Sequence, residues 1–251
     1  MQLEFDFTPL KVLIACEYSG TVRDAFLAEG HDAWSCDILA DDTGSNRHIR
    51  DDVRNHLTGW DLIIVAHPPC TRLCNSGVRW LTEAPKRLNP EHHTAAEVAA
   101  YARMTDAQRL AFMWAKLDEG AALFSDLWNA PCDRVVCENP VMHRHAKARI
   151  RNYAEPVQSI QPWQFGDWET KRTHFWARGV APLAPLYPKL DDARRALGLP
   201  ADAKPVTRVH SMAPGPERSK ERSRFFPSVA REMARQWGAQ SMQQINQAKA
   251  A

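Results

Sequence analysis

Residues 61–66 (DLIIVA) run straight into His67, Pro68, Pro69 and Cys70, and this junction constrains the fold more than any other stretch. An unbroken aliphatic run without alternation predicts a strand buried on both faces, as in a parallel sheet covered by helices. Two prolines directly after it end strand pairing and fix the backbone, which holds the Cys70 thiol rigidly at the sheet edge. The neighbouring segments follow the same plan. Residues 11–15 (KVLIA) form a short β run that stops at a Ser19-Gly20 turn, and Val22, Ala25, Phe26 and Gly30 mark a short helix and its stop. Residues 31–36 lead to Asp37, a possible third strand ends at Asp52, 134–137 (RVVC) lead to Glu138, and 174–177 follow Lys171-Arg172-Thr173. Residues 106–128 read as a helix, because Thr105 and Gln108 form a capping box and Leu110, Met113, Trp114, Leu117, Ala121, Phe124 and Trp128 repeat at three-four spacing. Strands alternating with helices predict an α/β fold with a mostly parallel central sheet.

The remaining segments are less regular. Residues 71–104 are polar and read as a long loop holding one short helix at 91–103. Residues 180–217 contain seven prolines and read as an irregular excursion, after which 223–238 closes as a helix with Pro227 in its first turn. The expected organisation is a core over 1–178, a Pro-rich segment over 179–217 and a returning C-terminal helix within 218–251.

Composition narrows the class. With 251 residues, 44% of them hydrophobic, the chain has material for a sizeable core. A net charge of +2 means that any basic face for nucleic acid is local. No apolar stretch is long enough to span a membrane and no basic leader precedes one, so a soluble, cytoplasmic protein is expected. Six irregularly spaced cysteines do not make a disulfide framework, and reduced thiols are expected.

In open parallel sheets, ligands meet the carboxyl ends of the strands, and the chain sets its unusual residues at those ends. A turn over Cys16, Glu17, Tyr18, Ser19 and Gly20, followed about 20 residues later by Asp37, suits an adenosine-type cofactor with the acid on the ribose hydroxyls. Cys70 is the candidate nucleophile, and Arg72 a cation that would favour its thiolate. Glu138, after a strand and with no basic neighbour in sequence, is placed to keep its proton and donate it.

Taken in order, these residues resemble the cytosine carbon-5 DNA methyltransferases, above all the short versions of phages and prophages. The resemblance spans roughly residues 11–177, with a weaker echo at 217–238. It implies a Rossmann-like S-adenosylmethionine-dependent methyltransferase fold. The cofactor would meet Cys16, Glu17, Tyr18, Ser19, Gly20, Asp37, Ile38, Asp52, Val53 and Pro69, with Asp52-Val53 on the adenine side. Cys70 would add to carbon 6 of a flipped cytosine while Glu138 holds or protonates N3. Asn139 would brace the nucleophile loop, and Lys171 or Arg172 would contact the base. Arg72, Arg79, Arg218, Lys220 and Arg222 would meet DNA, together with Arg208 and Arg224. If the chain is phage-encoded, its compartment is the host cytosol.

The sequence also departs from that pattern. Glu17 stands where a glycine is usual, Thr71 replaces a glutamine after the nucleophile, and Lys171 and Thr173 stand at places that are usually arginine. Only about 40 residues separate Trp176 from Glu217, where full-length enzymes carry a target-recognition domain. Modification of a free cytosine nucleotide, transfer of a different group, and a non-catalytic nucleic-acid-binding relative stay open. So does a metal site built from Cys70, Cys74, Cys132 and Cys137, although its spacings are not the C-x2-C pairs usual for zinc.

Overall fold

A computed structural model describes residues 8–68, 70–90, 93–212, 221 and 223–239, without the side chains of 209 and 210. Four buried apolar segments organise it: β1 (Lys11–Ala15), β2 (Asp32–Asp37), β4 (Leu62–Val65) and β5 (Val135–Asn139). With the short strands β3 (His48–Arg50), β6 (Gln158–Ile160) and β7 (Thr173–Arg178), they make a seven-stranded sheet in the order β3-β2-β1-β4-β5-β7-β6. The pairings from β3 through to β5 are parallel, while β7 runs antiparallel to both β5 and β6. The architecture is therefore α/β with a mostly parallel mixed sheet, compatible with a Rossmann-like fold.

Strand residues alternate between two cores. Leu13, Ile63, Val65 and Val135 face the long helix α3 (Asp106–Trp128) through Met113, Leu117 and Phe124. Val12, Ile14, Leu62, Ile64 and Val136 face the other layer, where α1 (Thr21–Ala28) and the C-terminal helix α7 (Pro227–Gly238) bring Phe26, Met233 and Trp237. Both faces of the central strands are thus desolvated, which is why β4 carries no polar residue.

Helix α3 starts at the expected capping box, in which Thr105 and Gln108 satisfy each other's backbone N–H. Helix α2 (Ala95–Ala102) is shorter than the expected 91–103 and has its own capping box, Thr94 with Glu97. The terminal helix begins at Pro227 rather than 223, because proline sits at a first-turn position whose N–H would be unpaired in any case. Residues 180–217 are not wholly irregular. They contain α5 (Leu190–Ala196), which buries Ala193 and carries Arg194–Asp191 and Arg195–Asp192 pairs one turn apart, and the single turn α6 (Arg208–Ser211). One further short helix, α4 (Arg144–Lys147), follows β5. No helix among the described residues is long and apolar enough to cross a membrane.

Strand order reverses between β1 and β4, and the crevice at a switch point of this kind is where open α/β sheets receive ligands. The carboxyl ends of β1, β2, β4 and β5 share that edge. The reversed β7 adds its first residue, Thr173, to the same edge.

Candidate active site

The turn after β1 is built around a buried carboxylate. Cys16 takes a left-handed backbone conformation (φ 57°), which turns the chain sharply out of the strand. Glu17 is fully buried, and its carboxylate accepts N–H bonds from Val22 at 2.8 Å and Arg23 at 3.1 Å, with Ser19 Oγ at 3.3 Å. It therefore fills the N-terminus of α1, whose cap residue Gly20 has no side chain for the task. Gly20 (φ 72°) is itself obligatory, since a Cβ there would come within 2.2 Å of Arg23 Nη2. The Arg23 guanidinium is buried and saturated by Asp24, Ser35, Asp41 and Thr43.

Burial pushes the Glu17 carboxyl up to about 7, against the lowering effect of the two N–H bonds and of Arg23. A carboxyl whose proton is held more tightly in the folded state stabilises the fold below its ordinary range near 4.5 and loses that contribution as pH rises towards 7. Glu17→Gln should remove about 3 kcal/mol of pH-dependent stability change between pH 4.5 and 7. Thermal unfolding of the two proteins across this range measures the difference. Parallel curves would show that Glu17 does not titrate in the fold.

Of the other residues expected at the cofactor, Tyr18 is buried and its hydroxyl shares a hydrogen bond of 2.8 Å with Ser223, and Ser19 is buried in the turn. Asp37 ends β2 half-buried. Its carboxyl is raised by burial, and one oxygen accepts from Leu39 N–H at 2.9 Å. Ile38 beside it is 71% exposed, an apolar side chain left at the rim of the crevice. The acid expected on the adenine side is differently engaged. Asp52 lies two residues beyond the end of β3, caps the 3-10 turn Val53–His56 through Arg54 N–H, and is paired with the Arg54 guanidinium, which holds its carboxyl below the usual range. Val53 is buried in the core facing α3. Pro69 lies outside the described residues.

Cys70 lies five residues beyond the end of β4. It forms no disulfide, and its carbonyl accepts from Leu73 N–H at 2.9 Å and Cys74 N–H at 3.0 Å, closing the loop into a turn. Gly77 allows a second close approach, because a Cβ there would lie 2.1 Å from the Thr71 carbonyl. This loop is tied to the segment after β5. His143 N–H donates to Leu73 O at 3.0 Å, Asn75 N–H donates to Val141 O at 3.2 Å, and Cys74 bridges to Met142. The His143 ring adds a third tie, with Nε2 2.8 Å from Arg72 O while Nδ1 accepts from Ala146 N–H at 3.1 Å. The second bond fixes Nε2 as the protonated nitrogen.

His143 thus ties the Cys70 loop to the segment after β5, beside the position from which Asn139 is expected to brace it. Asn139 is buried and donates to Pro140 O at 3.1 Å, and its Oδ1 has no partner among the described residues. His143→Ala removes both the cap of α4 and the tie to Arg72, a loss of about 1–2 kcal/mol. His143→Asn keeps a capping oxygen but cannot span to Arg72. Differential scanning calorimetry should show most of the stability recovered in the Asn variant, while capture of substrate by Cys70 stays slow in both. Equal capture rates in His143→Asn and wild type would remove the brace from the site.

Glu138 is buried in β5, and burial raises its carboxyl, opposed by the charge of Lys171 and by a hydrogen bond from the Thr173 hydroxyl. Cys74 is close enough to contribute a further raising influence. Glu138, Lys171, Thr173, His67 and Phe225 line one small pocket. The His67 ring meets Phe225 at 5.4 Å, and burial with the nearby Lys171 charge keeps the imidazole neutral. Lys171 also donates to Arg224 O at 3.4 Å and lies over the Phe226 ring. Arg172, by contrast, is exposed and outside the pocket.

Sequence reasoning missed Thr173, His67, His143 and Phe225 as site residues. The first two are adjacent to motifs that it used, but only the strand pairing shows which way they face. Of the segment 223–226, sequence reasoning singles out Arg224 alone, as a phosphate contact. The segment joins the two halves of the site through Tyr18, Asp42 and Lys171.

The expected DNA contacts divide. Arg79 is exposed, with its guanidinium 4.2 Å from the Trp80 ring centroid. Arg72 donates to His93 Nε2 at 2.8 Å, so its guanidinium is committed within the loop. Arg208 is paired with Glu169 and Glu221, and Arg224 with Asp42 and Glu221. Arg218, Lys220 and Arg222 lie outside the described residues. Among the described residues, no group of three or more His, Cys, Asp or Glu side chains is placed to hold a metal ion. No protein-family model matches the sequence, and no curated protein shows significant similarity to it.

Proposed function

We propose that the protein transfers a methyl group from S-adenosylmethionine to carbon 5 of cytosine in DNA, by way of a covalent Cys70 adduct at carbon 6. The observation that carries this reading is the pairing of a buried Glu138, whose carboxyl burial raises, with a cysteine loop bonded to the segment immediately after it. A candidate nucleophile and a candidate acid on segments tied together at one sheet edge, next to a switch point, are what nucleophilic catalysis on a base would use.

The crevice supports the nucleoside half of the cofactor. Asp37 offers a carboxylate oxygen for a ribose hydroxyl, and exposed Ile38 offers an apolar surface for adenine. Glu17 limits the methionine half, since the N–H groups of Val22 and Arg23 that would attract a carboxylate are already bonded. When bound, S-adenosylmethionine supplies the electrophilic methyl group that carbon 5 attacks. The methyltransferase version of the fold and the cytoplasmic setting belong to the same proposal.

In this scheme the Cys70 thiolate forms a bond to carbon 6, and the electron pair displaced from the 5,6 double bond is stabilised as Glu138 delivers its proton to N3. Lys171 supplies positive charge beside Glu138. After transfer, loss of the carbon-5 proton restores the double bond, Cys70 leaves as thiolate, and Glu138 recovers its proton. A base in duplex DNA must first leave the stack, at about a few kcal/mol.

Incubation with methyl-tritiated S-adenosylmethionine and random-sequence duplex DNA is the direct assay, with dCMP as a second acceptor. Label retained on DNA is expected. Label on dCMP alone would move the substrate to the nucleotide, and label on neither would reject the reading.

A further inference from the structure

Thr173 opens β7 and sits at the strand-end edge beside Glu138. Phe175 is the register partner of Glu138, and Thr173, two residues earlier, lies on the same face of the sheet. Thr173 is also paired with Ile160 of β6, and both residues line the pocket. Both side chains are buried, at 8% exposed for Thr173 and 7% for Glu138. The Thr173 hydroxyl donates to Glu138 Oε1.

A hydroxyl has one hydrogen to give, and a carboxylic acid has one oxygen that carries a proton and one that accepts. We infer that Thr173 is the positioning residue of this site: by binding Oε1 it makes Oε2 the oxygen that carries the proton and exchanges it with the substrate. The inference rests on the proposed role of Glu138 as acid. It adds which atom acts and which neighbour selects it. Thr173 is a neutral donor, so its contact orients the carboxyl without adding to the charge of Lys171, which already opposes the effect of burial. The charged and titratable groups around Glu138 are Lys171 from the approach to β7, Cys74 from the nucleophile loop and His67 from the end of β4. From α7 and the segment before it, Val229 and Phe225 are apolar.

Thr173→Val keeps shape and volume but removes the donor, and Thr173→Ser keeps the donor. A bond to the charged form lowers a carboxyl pKa, so its loss should raise that of Glu138. Infrared difference titration of the protonated carboxyl band in the protein without substrate reads this directly, with Glu138→Gln as the blank. The expected result is a rise of about half a pH unit or more in Thr173→Val, with Thr173→Ser close to wild type. Capture of 5-fluorocytosine DNA should slow about tenfold in the Val variant and recover in the Ser variant. An unshifted carboxyl band in Thr173→Val, or a Ser variant that behaves like Val, would overturn the inference. Failure of wild type to capture the DNA would instead reject the reading on which it rests, while the infrared titration still reports on Thr173.

Discussion

Cys70→Ala is expected to lose covalent capture of DNA containing 5-fluorocytosine, with transfer falling by several orders of magnitude, as on removal of a nucleophile elsewhere. The fluorine cannot leave as a proton does, so an adduct at carbon 6 becomes trapped on the protein and survives denaturing electrophoresis. Alanine keeps the Cys70 carbonyl oxygen that closes the turn with Leu73 and Cys74 N–H. Cys74→Ala is the discriminating control. Cys74 is buried, hydrogen-bonded to Ser76 Oγ at 3.0 Å and near Glu138, so it is the rival thiol in the same loop. Capture that survives Cys70→Ala and disappears in Cys74→Ala would reassign the nucleophile.

Glu138→Gln is expected to slow transfer by about 10²–10⁴-fold, the usual contribution of a positioned general acid. The amide keeps an oxygen for the Thr173 hydroxyl, so the loss reflects the missing proton rather than a missing contact. The pH profile carries the sharper signature. Burial raises the Glu138 carboxyl above the ordinary carboxylate range, so its acid form, which is the active one, persists to higher pH and is lost as pH rises through that raised value. Wild type should therefore show a descending limb on the alkaline side that the Gln variant lacks. A limb of the same position in both proteins would belong to some other group, and Glu138 would cease to be the acid.

How much of this was legible depended on what held each piece in place. β4 was readable because desolvation of both faces leaves only aliphatic residues, and α3 because its capping box and apolar stripe are local signals. β6 has three residues of mixed character, Gln158–Ile160, and exists through pairing with β7. α5 is seven residues long and buries Ala193 alone, so its apolar spacing is too short to mark a helix. In the site, Cys70 and Glu138 stood out by type and by position after strands. The residues that surround and hold them do not. Glu17 looked like a misplaced charge in a cofactor turn, and only the folded turn shows its carboxylate reaching Val22 and Arg23 N–H. His143 reaches across 71 positions of sequence to Arg72, a contact with no local trace. Asp52 differs in that its partner is local, since Arg54, two residues on, pairs with the carboxylate.

The proposed chemistry specifies the product to the atom, so the most direct measurement is mass spectrometry of nucleosides digested from DNA after reaction with S-adenosylmethionine. The expected product is 5-methyl-2′-deoxycytidine, absent when Glu138→Gln or Cys70→Ala replaces the wild-type protein. Unmodified DNA, or a methyl group on the exocyclic nitrogen of cytosine or on adenine, would contradict a covalent Cys70 route to carbon 5.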